Sequence, residues 1–323
     1  MIRAAGLIAA LFLAADAGAQ SMLTRQPPSS LTGVALPGAT PDYLAAGVKP
    51  DLAFGALQRG YFVTAFREAM KRVEADPKDG PAMTILGELY RDGLGVRTDP
   101  TEAARWYKLA ADRGDAQGAY ALALAHLQGR GVPVDRKAGR ALLEKAAAGN
   151  HVGALYNLGL VAAEDKPPDY KAAAGWFLKA AKLGSGDAAY ALALLHKEGN
   201  GVEKDAEKSV AWLRKAASEH IVAGQLELAI ALFNGEGVEK DEFLAASFFR
   251  RAAAANNPIA ANRLARMLAA GRGAKKDIVE AMQWHVLARA AGIEDEWLDD
   301  QMATLTARER LAVDEAVKKH VGK

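Results

Sequence analysis

Cysteine is absent from the 323 residues, and several chemistries go with it. No disulfide framework can staple the chain, no thiol can carry a lipid anchor, and no thiolate can act as a nucleophile. Long apolar runs are missing too: beyond the first residues, nothing approaches the ~20 uninterrupted apolar residues of a helical membrane span. The net charge is only +2, from 41 Lys and Arg against 39 Asp and Glu, which is too small to favour nucleic acid or an anionic bilayer. The basic pairs Arg250-Arg251, Lys275-Lys276 and Lys318-Lys319 lie far apart, as on solvated helix faces and loops. Catalytic signatures are equally scarce, with no His-Glu-x-x-His and no Gly-x-Ser-x-Gly elbow. His126 and His196 take equivalent places in two repeats, but the repeat between them separates them too widely to share a metal at about 2.1 Å per bond. Asp299-Asp300 reads as a solvated face rather than an acid-base pair. These absences predict no catalytic centre, no metal and no cofactor.

What is present is repetition. The stretch Ala82 to Gly114, AMTILGELYRDGLGVRTDPTEAARWYKLAADRG, returns in altered form five more times. Gly93, Gly129, Gly199, Gly235 and Gly271 mark its turns at a step of 36 residues, apart from one gap of 70 that hides a shortened unit of 34. One leucine recurs in every first helix: Leu86, Leu122, Leu158, Leu192, Leu228 and Leu264. Every second helix opens at an aspartate: Asp99, Asp135, Asp169, Asp205, Asp241 and Asp277. A carboxylate there caps the free amides of the first turn and opposes the helix dipole. The bulky column Trp106, Leu142, Trp176, Trp212, Phe248 and Trp284 is expected in the core, followed by small residues such as Ala110-Ala111 that let helices approach. The Gly-x-Gly turns lack a third glycine and follow a helix, so they supply positive φ rather than a phosphate cradle. A single hairpin of this size cannot bury its apolar face, so repetition predicts a stacked all-α solenoid.

Around the repeats, residues 1–19 carry the three-part pattern of a cleavable signal peptide: Arg3, an apolar Leu7 to Ala15, and Ala17-Gly18-Ala19. Cleavage after Ala19 makes the expected location periplasmic or secreted, with no membrane insertion afterwards. Residues 20–50, with five of the twelve prolines, read as a flexible leader. Residues 51–80 resemble a tetratricopeptide hairpin and form an N-terminal cap. Six repeats then fill 81–292. Residues 293–323 are a capping segment in which Thr306 and Glu309 make a capping box and Val313, Ala316, Val317 and Val321 share one side.

The residues Ala82, Leu86, Gly87, Tyr90, Gly93, Gly95, Val96, Asp99, Ala103, Trp106, Tyr107, Ala110 and Ala111 resemble the Sel-1-like repeat (SLR), a relative of the tetratricopeptide repeat. The resemblance covers about two-thirds of the chain. It implies a right-handed superhelical α/α solenoid that serves as an adaptor for other proteins. Exported bacterial members of the family regulate envelope signalling or engage host factors. A cysteine-rich branch is linked to penicillin binding and hydrolysis, and this chain lacks its cysteines.

The opposite side of the first helices carries the candidate site. Positions two before and two after the repeated leucine lie about 160° from it. They hold Tyr120 and Leu124, Tyr156 and Leu160, Tyr190 and Leu194, and Leu226 and Ile230, with polar ends at Thr84 and Glu88 and at Asn262 and Arg266. Two readings of this stripe stand: a concave groove for a protein or peptide partner in the envelope, or internal packing of a tightly wound superhelix. Three functions follow in turn: a binding module, a cysteine-free relative of the penicillin-binding enzymes, or a passive envelope spacer. The near absence of convergent polar groups in the groove columns favours the binding module.

Overall fold

The computed structural model describes residues 51–322. The signal peptide and the proline-rich leader expected over 1–50 lie outside the described residues. Among those residues there are sixteen helices and no strand. The chain forms two compact units that divide between Pro167 and Pro168, inside the shortened turn of the third repeat.

The first unit opens with α1 (Leu52–Gln58) and α2 (Phe62–Ala75), which pack Ala53, Ala56, Ala65 and Ala69 against Ile85, Leu86 and Leu89. Arg72 pins this cap to the first repeat: it reaches Asp51 at 2.6 Å and Asp79 at 2.8 Å. Repeats one and two follow as α3 (Gly80–Asp92) with α4 (Pro100–Asp112), and α5 (Ala116–Gln128) with α6 (Arg136–Ala148). The first helix of repeat three, α7 (Val152–Glu164), closes the unit. The second unit begins with α8 (Tyr170–Lys182). It continues as α9 (Gly186–Glu198) with α10 (Ala206–Ser218), α11 (Val222–Asn234) with α12 (Glu242–Ala254), and α13 (Pro258–Ala270) with α14 (Ile278–Ala290). All twelve repeat helices have 13 residues, about 20 Å at 1.5 Å per residue.

Local chemistry sets these boundaries. All six aspartates that open second helices accept a first-turn backbone amide, as from Lys208 to Asp205 at 2.9 Å. Five first helices end on a left-handed glycine, Gly93, Gly129, Gly199, Gly235 and Gly271. The second glycine of each turn has a further reason to be glycine. A Cβ on Gly131 would lie 1.9 Å from the Pro100 carbonyl oxygen, on Gly237 2.3 Å from that of Ala206, and on Gly273 2.1 Å from that of Glu242. Each turn therefore seats its backbone on the start of the preceding repeat's second helix, in a space that excludes any side chain. Gly95 makes the same seat on Val63 and Phe62 of α2, so the cap stands in for a preceding repeat.

The core differs from expectation by one residue. The column expected inside is half-buried at Trp106, Leu142, Trp176, Trp212 and Phe248, and buried only at Trp284. The next position points inward: Tyr107, Leu143, Phe177, Leu213, Phe249 and His285 are all at most 4% exposed. The Tyr107 ring lies where a side chain on Gly87 would be, 2.4 Å from that residue's hypothetical Cβ, so α3 and α4 approach closely. The preceding aromatic lies nearer the surface, where Lys179 stacks on Trp176 at 4.4 Å and Arg251 on Phe248 at 5.2 Å. The alanine pairs do what their size allows, and Gly118 of α5 sits against Ala110 of α4 with no room for a methyl group.

Two helices, not one, follow the repeats: α15 (Glu296–Ala303) and α16 (Ala307–Val321). The Thr306–Glu309 capping box forms as expected. Leu298, Leu305 and Val313 are buried against the end of the second unit, with Val317 packed alongside. Val321 is a correction: it is 71% exposed, past the end of the covered surface. His285 and Arg289 of α14 both bond Asp299 of α15, which fixes the shorter helix.

Candidate functional site

The candidate site is built on the first helices of the repeats, and their N-termini explain its shape. The residues preceding these helices are Asp79, Asp115, His151, Ser185, Ile221 and Asn257, and all except Ile221 accept a bond from a first-turn amide. In repeats one, two and six the position two before the repeated leucine reaches the N-cap of the next first helix or of α15. Thr84 donates its hydroxyl to Asp115 at 2.6 Å. Tyr120 stacks on His151, with ring centroids 4.3 Å apart and planes inclined by 27°. Asn262 donates to Asp295, the N-cap of α15, at 2.8 Å, and Arg266 joins the same oxygen at 2.7 Å. In these three repeats the side chain matches what it meets: a hydroxyl or amide against a carboxylate, a ring against a ring.

In the first unit, Tyr120, Leu124 and Tyr156 are half-buried and Leu160 is 2% exposed. Tyr120 also accepts a bond from Asn157 at 3.1 Å, and burial raises its phenol above the ordinary value. In the second unit, Tyr190, Leu194 and Ile230 are half-buried, and Leu226 is buried at 9% exposure. Burial, reinforced by Glu227, pushes the Tyr190 phenol up to about 12. Six of the eight residues divide by role within their own units. Tyr120 has its ring in a repeat joint, Leu160 and Leu226 lie underneath, and Leu124, Leu194 and Ile230 keep part of their surface on the outside. Exposed polar residues border them at the helix ends, Asp92, Gln128 and Glu164 in the first unit and Glu198 and Asn234 in the second.

A polar network beside the stripe was not anticipated. Gln117 donates to Glu88 at 3.4 Å and bonds the His151 ring at 2.7 Å. Burial raises the Glu88 carboxyl, and burial lowers the His151 imidazole against the pull of Asp115. The sequence signal was there to read: His151 stands in the register where four other repeats place Asp, Ser or Asn and one places Ile. In the second unit Lys197 pairs with Glu227 at 2.8 Å. His126 and His196 do not converge with other ligands, and no group of three His, Cys, Asp or Glu able to hold a metal occurs among the described residues. No described helix is long and apolar enough to cross a membrane.

Comparison with known proteins bears on this geometry. The Sel1 repeat family model matches residues 80–115, 116–151, 152–185, 186–220, 222–257 and 258–293. A Sel1 repeat protein from Oxalobacter formigenes is 30% identical, with a TM-score of 0.66 over 74% of this chain and 98% of that one. A protective antigen present in uropathogenic Escherichia coli strains, displaying an SLR fold, is 27% identical, with a TM-score of 0.51 over 81% of this chain and 64% of that one. Chitin synthase regulatory factor 2 of Schizosaccharomyces pombe is 35% identical over 81 residues, which are 25% of this chain and 16% of that protein. The match thus spans about a sixth of that curated relative.

Proposed function

The chain belongs to the Sel1 repeat family, whose members are generally non-catalytic protein-interaction scaffolds, and from that premise we propose that it binds a protein or peptide segment of the bacterial envelope on the first-helix face of its repeats. The observation that carries the reading is the incomplete burial of Leu124 in the first unit, on a helix ending in exposed Gln128, and of Leu194 and Ile230 in the second, on helices ending in exposed Glu198 and Asn234. A partially exposed apolar surface with a polar border suits a reversible partner. The tyrosines give that surface rigid area and a hydroxyl. The leader of residues 1–19 supports export, with cleavage after Ala19 and a role in envelope signalling or scaffolding; N-terminal sequencing of the native protein checks it, and a chain that keeps Met1 would contradict it.

The binding reading is tested by affinity capture from envelope extract with three baits. These are the wild type, Leu194→Ser Ile230→Ser, and an outer-face control, Lys145→Glu Arg214→Glu. A partner retained by wild type and control but lost by the Leu194–Ile230 variant, with that variant still folded by circular dichroism, is the expected result. A partner profile identical for all three baits would overturn the reading.

A further inference from the structure

We propose that His151 makes the joint between the second and third repeats sensitive to acid, because only the neutral imidazole, with its proton on Nε2, can cap α7 and bridge to α5 at once. The Ala154 amide donates to His151 Nδ1 at 3.1 Å, so that nitrogen must present its lone pair. The single ring proton then sits on Nε2 and donates to Gln117 Oε1 at 2.7 Å. That bond turns the Gln117 amide nitrogen toward Glu88. The ring face is occupied by Tyr120, whose hydroxyl accepts from Asn157 on α7. One imidazole thus joins α3, α5 and α7 through partners that all suit the neutral form.

A second proton would go to Nδ1 and set an N–H against the Ala154 N–H. It would also add positive charge at the end of α7, where the helix dipole is already positive. The ring then has to leave the cap, and the stack on Tyr120 goes with it. Gly153 leaves little slack for a smaller adjustment, since even a Cβ there would lie 3.1 Å from Tyr120 Cζ and 3.2 Å from His151 Cε1.

The groups facing the ring are these. On α5, Tyr120 and the N-cap carboxylate of Asp115 lie near, and Asp115 favours the charged ring. On α3, Glu88 is reached through Gln117. Beside α6, the Ala146 carbonyl accepts from the His151 amide at 3.2 Å, and α7 supplies the capped amide and Asn157. Burial outweighs Asp115 and holds the imidazole below its ordinary value. The unfolded chain therefore takes up this proton first. The contribution is complete above pH ~6.5 and is lost as the pH falls from there through the folded value. Ser185 and Asn257, which cap first helices in the same register, carry no group that titrates over that range.

The consequence for binding rests on the proposed function: Tyr120 and Leu124 ride on α5 and Tyr156 and Leu160 on α7, so a loosened joint alters their mutual placement. The titration itself needs no partner, so either proposal can fail while the other stands. The full chain, isotope-labelled, is titrated by nuclear magnetic resonance, and thermal midpoints of wild type and His151→Asn are compared from about pH 7.5 to about pH 5. Asparagine caps well and does not titrate. The expected result is a His151 ring midpoint below ~6.5, an Ala154 amide resonance that follows the same curve, and a wild-type thermal midpoint that falls with acid by several degrees more than that of His151→Asn. A ring midpoint at or above ~6.5, an Ala154 amide indifferent to the titration, or equal acid sensitivity of the two proteins would overturn the proposal.

Discussion

At the scale of single residues, backbone geometry separates glycines that look alike in sequence. Gly237 and Gly292 both have positive φ, 69° and 89°. A Cβ on Gly237 meets the Ala206 carbonyl at 2.3 Å, whereas on Gly292 it meets nothing within 4 Å. Gly292→Ala is expected to cost about 1 kcal/mol, the price of a left-handed alanine, and Gly237→Ala distinctly more, because two backbones must separate. Chemical denaturation of the pair reads the difference, and equal losses would mean that the turn is not seated on α12's neighbour α10. The opposite change is available at His220, which holds φ 62° at the turn where other repeats use Gly114, Gly184 or Gly292. His220→Gly is expected to stabilise by roughly 0.5–1 kcal/mol; a loss would show that the imidazole makes a compensating contact. For the aspartate caps, Asp205→Ala should lower the denaturation midpoint more than Asp205→Asn, since the amide oxygen still accepts from Lys208. Equal losses would assign the effect to the Lys208 ion pair at 2.8 Å. The caps were legible in the sequence because capping is local. The seating of the second glycine was not, because its reason lies in the backbone of another repeat.

At the scale of helices, the sequence located every repeat helix but misjudged which face of the second helices is innermost. Adjacent positions differ by about 100° around a helix, and here both are often large and apolar, as at Trp106-Tyr107, Leu142-Leu143 and Phe248-Phe249. Periodicity alone cannot rank them; the close approach of Gly87 to Tyr107 does. The pair Leu142 and Leu143 tests this with one chemistry. Leu143, wholly buried, should lose about 2–5 kcal/mol on change to alanine, and half-buried Leu142 clearly less, by equilibrium unfolding. A reversed order would restore the original reading. The helix α15 escaped notice because it has only 8 residues and carries adjacent acids at Asp299 and Asp300; Asp299 is in fact the partner of His285. Among first helices, the 160° argument picked out two columns whose apolar members are buried or half-buried. It did not see that Tyr120 reaches the next N-cap, because that contact depends on the stacking of successive repeats.

At the scale of the whole molecule, fold and family were legible because six copies in register report the same constraint many times over. The proposed face was legible only in part. Its apolar character can be read from the residues alone, while the burial of Leu160 beside partly open Leu124 in the first unit, and of Leu226 beside partly open Leu194 and Ile230 in the second, depends on the packing of each unit. The central claim is that partners meet the first-helix face. Site-specific photo-crosslinking in native cells tests it most directly, with the reactive side chain placed at exposed Gln128 or Glu198 on that face, and at exposed Lys145 or Arg214 on second helices. The account predicts a discrete protein adduct from Gln128 and Glu198 and none from Lys145 and Arg214. Adducts from the second-helix positions alone, or the same adducts from all four, would contradict it.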